Sequence, residues 1–169
     1  MRTKSATQYS TLQMGLHWII AALVLFQIVF GEAMTRFVDA NSEGGTVSST
    51  DALVASAHFW SGLAILGLVV ARLVVRFRRG VPPHSPKTMP IAALAASVVH
   101  WLFYALLVAV PVTGILTYYG LADLGDVHAL AKPAFVLLIA AHAGAALFHQ
   151  FVLRDGTLTK MLPVRSDAL

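Results

Sequence analysis

The sequence predicts an all-α integral membrane protein, a four-helix bundle with both termini on the cytoplasmic side. Three observations carry this. Hydrophobic residues make up 57% of the 169 and charged residues only 12%, about half the charge of an ordinary water-covered globule. The apolar residues come in four blocks, at about 12–36, 52–78, 90–119 and 126–152. At ~1.5 Å per residue each block is long enough to cross a hydrocarbon core of ~30 Å. The basic residues gather at alternate ends of these blocks, as membrane topology requires.

Arg2 and Lys4 precede the first block, as they would a signal peptide. The block is too long for a signal core, lacks a small-residue cleavage site and carries His17, so a retained helix is expected. A polar connection, Asn41-Ser-Glu-Gly-Gly45 and Ser48-Ser-Thr50, leads to Asp51, placed to cap the second helix. That helix runs into Arg76, Arg78 and Arg79 and the connector Val81-Pro-Pro-His-Ser-Pro86, whose prolines neither neighbouring helix can absorb. Pro111, followed by Thr113 and Gly114, predicts a kink in the third helix. The short link from Tyr119 to Gly125 makes the third and fourth helices antiparallel neighbours. Nothing divides the chain, so residues 1–169 are expected to form a single membrane domain.

Orientation follows from charge. Arg2, Lys4, Arg76, Arg78, Arg79, Lys87, Arg154, Lys160 and Arg165 fall on one side. The other side holds only Arg36 and Lys132, with Glu32, Asp39, Glu43, Asp51, Asp123 and Asp126. The positive-inside rule assigns the first side to the cytoplasm. The second side carries a negative field that repels anions. The net charge of +4 therefore reflects topology, and nucleic-acid binding is not expected. The absence of cysteine excludes disulfides, iron–sulfur clusters and covalent haem attachment. No Walker, Rossmann, HExxH or GxSxG pattern occurs.

The functional signal is histidine: seven residues, His17, His58, His84, His100, His128, His142 and His149. Ionisable groups inside a membrane are expensive and mark function. His128 and His142 are 14 residues apart, within ~40° of four full helical turns and ~21 Å in rise. They share one face at two depths. His58 opens the second helix at the level of His128, and His17 lies at the level of His142. The arrangement predicts two haems, each held by two axial imidazoles from facing helices. Gly15, Ser61, Gly62, Ala129, Ala141, Ala143 and Gly144 flank these histidines and let a flat macrocycle approach the backbone.

Arg72 shares the face of His58 at the inner depth, and its guanidinium is expected to meet a haem propionate. His149, seven residues beyond His142, is placed to contact a quinone headgroup or a propionate. His100, near the inner level and followed by Trp101 and Tyr104, is expected to be a quinone contact or an interhelical hydrogen bonder rather than an iron ligand. Trp18, Trp60 and Trp101 are expected as interfacial anchors or haem-edge packing, and His84 as a solvated loop residue.

These residues lie in stretches that resemble the prokaryotic cytochrome b561 family: Gly15-Leu-His17-Trp18, His58, Val69-Val-Ala-Arg72-Leu, Pro82-Pro-His-Ser-Pro86, His100-Trp-Leu-Phe-Tyr104, Pro111-Val-Thr-Gly114 and His142-Ala-Gly-Ala-Ala-Leu-Phe-His149. The tail, Arg154-Asp-Gly-Thr-Leu158 through Met161-Leu-Pro163, completes the resemblance from about Tyr9 onward. The resemblance implies a four-helix cytochrome of the bacterial inner membrane, with two non-covalent haems b on His17, His58, His128 and His142. It also implies electron exchange with ubiquinone or its quinol toward the cytoplasm, and with a periplasmic one-electron partner, superoxide or a small protein. On this basis the protein is expected to be an oxidoreductase. The alternatives are the cytochrome b subunit of a larger dehydrogenase or hydrogenase, and, in another class, a haem-free transporter relaying protons through its histidines.

Overall fold

The computed structural model describes residues 8–83, 85 and 88–162. Arg2, Lys4, His84, Pro86, Lys87, Pro163 and Arg165 lie outside the described residues, so the expected solvation of His84 is not addressed. Six α-helices follow one another: α1 Thr11–Phe30, α2 Glu32–Ser42, α3 Ser49–Arg79, α4 Pro90–Tyr118, α5 Gly125–Ala129 and α6 Ala131–Phe148. A π-helical turn, His149–Leu153, and a 3-10 turn, Leu158–Met161, close the described chain. Four stretches are long and apolar enough to cross a membrane: α1, α3, α4, and α5 through the π-helical turn. The basic connections lie at one end of the bundle and the acidic ones at the other.

The first apolar block divides at Gly31. A side-chain carbon there would sit 2.7 Å from the Gln27 carbonyl oxygen and 3.6 Å from Cε1 of His58. Beyond it the sequence turns polar, and α2 lays Ala33 against the bundle and packs on α3. The last block divides at Leu130, separating the short α5 with His128 from α6 with His142. Ser48, rather than Asp51, caps α3: its hydroxyl accepts from the Asp51 N–H at 3.0 Å, while the Asp51 carboxylate bonds Arg36.

Close packing runs α1 on α3, α3 on α4 and α4 on α6. The core is a thin seam of Ile20, Val24, Ile65, Val69, Tyr104, Leu107, Ala131 and Phe135. Outside it, large apolar side chains face outward; Leu53, Phe77 and Leu137 are more than 70% exposed. In water such a surface would drive association; in lipid it is the required exterior.

Among the described residues the buried polar one is Gln13, and it ties together the basic end. Its side-chain oxygen accepts from the Ser10 N–H at 3.0 Å, and Ser10 Oγ accepts from the Gln13 N–H, completing a capping box. Its Nε2 donates to the Gly80 carbonyl beyond α3 at 3.0 Å, and its own carbonyl accepts from Nη1 of Arg72 at 2.8 Å. The segment after α6 folds back on the same end: Trp18 Nε1 donates to the Met161 carbonyl, and the Lys160 ammonium donates to the Pro83 carbonyl.

Gln13→Ala keeps the Ser10 cap but removes the return half of the capping box and the bond to Gly80. With each contributing about 1 kcal/mol, it is expected to lower stability by about 2 kcal/mol, against about 1 for Ser10→Ala. Denaturant unfolding of the detergent-solubilised protein, read by circular dichroism, checks the ordering; equal loss in both variants contradicts the interhelical role of Gln13.

Candidate functional site

At the acidic end, His58 of α3 and His128 of α5 face each other, with ring centroids 6.2 Å apart and planes at 68°. His128 is fixed by α4. Its Nδ1 lies 2.9 Å from the Val110 carbonyl, which also accepts from the Thr113 hydroxyl. A carbonyl can only accept, so Nδ1 is the donor in this bond, and in the neutral tautomer that leaves Nε2 its lone pair. The ring rests directly on Gly114, where a side-chain carbon would be 2.9 Å from Cε1 and 3.1 Å from Nδ1. The Pro111-Val-Thr-Gly114 sequence thus supplies an acceptor and a flat surface for one imidazole. His58 is anchored through its backbone: Gln27 Nε2 donates to its carbonyl at 2.9 Å. Its Nδ1 and the Gln27 Oε1 are buried without a hydrogen-bond partner, an arrangement that protein atoms alone leave unsatisfied.

At the basic end, His17 of α1 and His142 of α6 repeat the geometry, with centroids 6.2 Å apart and planes at 65°. His142 has a second imidazole neighbour, His100 of α4, at 5.4 Å, and Phe103 at 5.5 Å. Trp18 stands 5.2 Å from His17. Arg72 reaches the start of α1, and Arg76 one turn on lies over Trp101 and Tyr104 at 5.5 and 5.7 Å. Tyr9, Gln13, Arg72, Arg76, Val81 and Tyr104 line a small, partly open pocket there. Burial pushes the Tyr9 hydroxyl above its usual range against the opposing pull of Arg76 and Arg72. No carboxylate pairs with either arginine among the described residues. His149 begins the π-helical turn and bonds Asp155.

An imidazole binds a metal at roughly 2 Å, and its nitrogen lies roughly 1.2 Å from the ring centre, so two imidazoles on opposite sides of one metal have centroids about 6.3 Å apart. Both pairs meet that spacing at 6.2 Å. The His100–His142 distance of 5.4 Å is too short for it, which separates His100 from the metal-type pairs. Each pair also spans helices that do not pack closely: among the described residues the close contacts of α5 and α6 with another span are made to α4, not to α1 or α3. A side-chain carbon added at Gly15 or Gly144 would meet nothing within 4 Å. No group of three or more His, Cys, Asp or Glu able to hold a bare ion occurs among the described residues. The donor set therefore suits an iron whose equatorial ligands come from a macrocycle.

Sequence patterns did not single out Val110, Gln27, Arg76 or Asp155. Backbone acceptors such as Val110 leave no residue-type signature; Arg76 read as a topological charge after the second span, and Asp155 entered only as part of the tail stretch. At the acidic end Arg36 pairs with Asp51 and Lys132 with Glu32, both at 2.7 Å, so the Lys and Arg of that end are engaged with acids. The bond from Lys132 also holds the Glu32 carboxyl below its usual range.

The family model described as prokaryotic cytochrome b561 matches residues 8–164. The chain is 39% identical to a protein of Cereibacter sphaeroides named cytochrome b562, over 93% of this chain and 96% of that one. It is 33% identical to a probable superoxide oxidase CybB of Yersinia pestis, over 92% and 96% of the two chains. It is 29% identical to cytochrome b561 homolog 1 of Escherichia coli, over 94% and 98%. Together with the four apolar spans, these matches establish that the chain belongs to the prokaryotic cytochrome b561 family of haem-binding membrane electron-transfer proteins.

Proposed function

We propose that the protein carries electrons across the bacterial inner membrane through two haems b, between a quinone pool at the basic, cytoplasmic end and a one-electron partner at the acidic, periplasmic end. The observation that supports this most directly is the equal 6.2 Å spacing of two histidine pairs at opposite ends of the bundle. In this reading His17 and His142 hold one haem and His58 and His128 the other. Haem b would supply a redox-active iron, which the two imidazoles of each pair would hold for electron transfer. Val110 orients His128 so that Nε2 faces the iron, the kind of outer hydrogen bond that fixes metal-binding imidazoles. Arg72, lacking a carboxylate partner among the described residues, neutralises a propionate of the haem at the basic end. His149 and His100, near that haem, receive the quinone headgroup.

A second reading, superoxide:ubiquinone oxidoreduction, is favoured by the relative named a probable superoxide oxidase. The charge of the acidic end opposes it. With Arg36 and Lys132 each bonded to an acid, Asp39, Glu43, Asp123 and Asp126 leave that face negative. A haem-free transporter is set aside by the family assignment.

Pyridine haemochrome analysis is expected to give two haems b per chain. His58→Ala or His128→Ala removes one haem and spares the other, His17→Ala or His142→Ala does the reverse, and His100→Ala keeps both. A single haem lost in both His17→Ala and His58→Ala would break the pairing. Gly114→Ala, which drives a methyl into the His128 ring, is expected to deplete the same haem as His128→Ala. Gly67→Ala, with nothing within 4 Å, should leave both haems bound.

Reaction of the haems with superoxide should be slow at low salt and accelerate as salt screens the negative face over the ~8–10 Å Debye length. Stopped-flow rates that start near the diffusion limit and fall with added salt would make superoxide the steered substrate.

A further inference from the structure

Among the described residues of the basic end, Asp155 is the one carboxylate, against Arg72, Arg76, Arg78, Arg79, Arg154 and Lys160. Asp155 pairs with none of those cations among the described residues. It turns inward instead. Its side chain is 0% exposed, and Oδ2 accepts a 2.6 Å hydrogen bond from Nδ1 of His149, whose side chain is 17% exposed. Oδ1 accepts from the Thr157 N–H at 3.0 Å and the Thr157 hydroxyl at 2.7 Å. The backbone bends to allow this: α6 widens into the π-helical turn, and Arg154 takes a left-handed φ of 49°, a conformation unfavourable for a non-glycine residue.

Burial alone would raise the pKa of Asp155, but the bonds from His149 and Thr157 outweigh it and hold the group at about 2. The carboxylate is therefore ionised at every physiological pH. Arg154 is exposed, and the Lys160 ammonium is bonded to the Pro83 carbonyl at 3.0 Å. From α1 the approaching side chain is Trp18, which is neutral and bonded to Met161. Asp155 is the charge that His149 meets.

We propose that Asp155 is a positioning residue for proton transfer: it fixes His149 with Nδ1–H inward, so that Nε2 exchanges the protons that accompany quinone reduction and quinol oxidation. This rests on the proposed placement of quinone at His149. Reducing one quinone to quinol consumes two electrons, each from a haem iron passing from ferrous to ferric, and two protons. For each proton the Nε2–H bond of protonated His149 breaks and the proton moves to a quinone oxygen. The neutral imidazole keeps Nδ1–H on Asp155 and is reprotonated at Nε2 from water at the basic face. Quinol oxidation runs the same steps in reverse. A fixed anion at hydrogen-bond distance stabilises the imidazolium formed in each cycle.

The test uses the purified holoprotein and a short-chain ubiquinol, with the reduced-minus-oxidised spectrum as the check on assembly. Asp155→Asn should keep both haems yet slow haem reduction about 10- to 100-fold. Its pH profile should move toward lower pH, as loss of an anion beside an imidazolium requires, and Asp155→Glu should recover much of the rate. Thr157→Val loosens the same loop but leaves the carboxylate, so it should lower thermal stability without moving the pH profile. Apart from activity, NMR of 15N-histidine-labelled protein with reduced haem should show a far-downfield N–H proton, absent in Asp155→Asn and His149→Ala. An unshifted rate and profile in Asp155→Asn, with His149→Ala slowed, overturns the proton role and leaves quinone at His149. Unaltered kinetics in His149→Ala moves the quinone elsewhere and removes the proton role with it. Should Asp155→Asn fail to assemble, the wild-type spectrum decides, and a missing downfield proton overturns the proposal.

Discussion

The bundle is organised around imidazoles that must sit in an apolar interior and meet across it. A histidine in such surroundings needs a partner at its own depth, and that requirement ties α1 to α6 and α3 to α5. Those helices do not pack closely on one another, while their neighbours do. The thin core seam and the spacing of the spans follow from this: a tightly closed four-helix bundle would have brought the rings together or forced them out. Gly114 is the local price of the arrangement, since it lies against a ring that a larger residue would displace, whereas a side chain at Gly31 would crowd the Gln27 carbonyl.

The two ends are chemically unlike. At the acidic end the cations are spent in ion pairs across elements, Arg36 from α2 to α3 and Lys132 from α6 to α2. These exposed pairs contribute little stability individually, but they remove positive charge from the surface an outside partner would meet. At the basic end Arg72 and Arg76 are drawn inward and Gln13 joins α1 to α3. One end is built to present charge to water and the other to gather it around a small pocket.

Much of this was legible in the sequence because it rests on coarse quantities. Block length and charge sign gave the spans, and the 14-residue interval from His128 to His142 survived the break at Leu130 because that residue keeps nearly helical dihedrals, φ −62° and ψ −16°. What escaped rests on single atoms. The cap moved from Asp51 to Ser48, three residues earlier, since both side chains are competent and only the backbone decides. His100 came nearer to His142 than its position along α4 implied; depth can be counted along a helix, but lateral approach depends on how α4 leans on α6. Pro111 pointed to a kink, whereas the neighbouring Val110 carbonyl and Gly114 surface are what meet His128.

The last span has a different dependence from the rest. Ala131 and Phe135 are the residues α6 buries, near its beginning, and the most apolar stretch of the span buries none within the protein. Among the described residues its contacts with another span are chiefly with α4, made by both α5 and α6. In the proposed reading His128 and His142 would add ties to α3 and α1 across the bundle, so loss of haem would leave the fourth span held chiefly by its packing on α4.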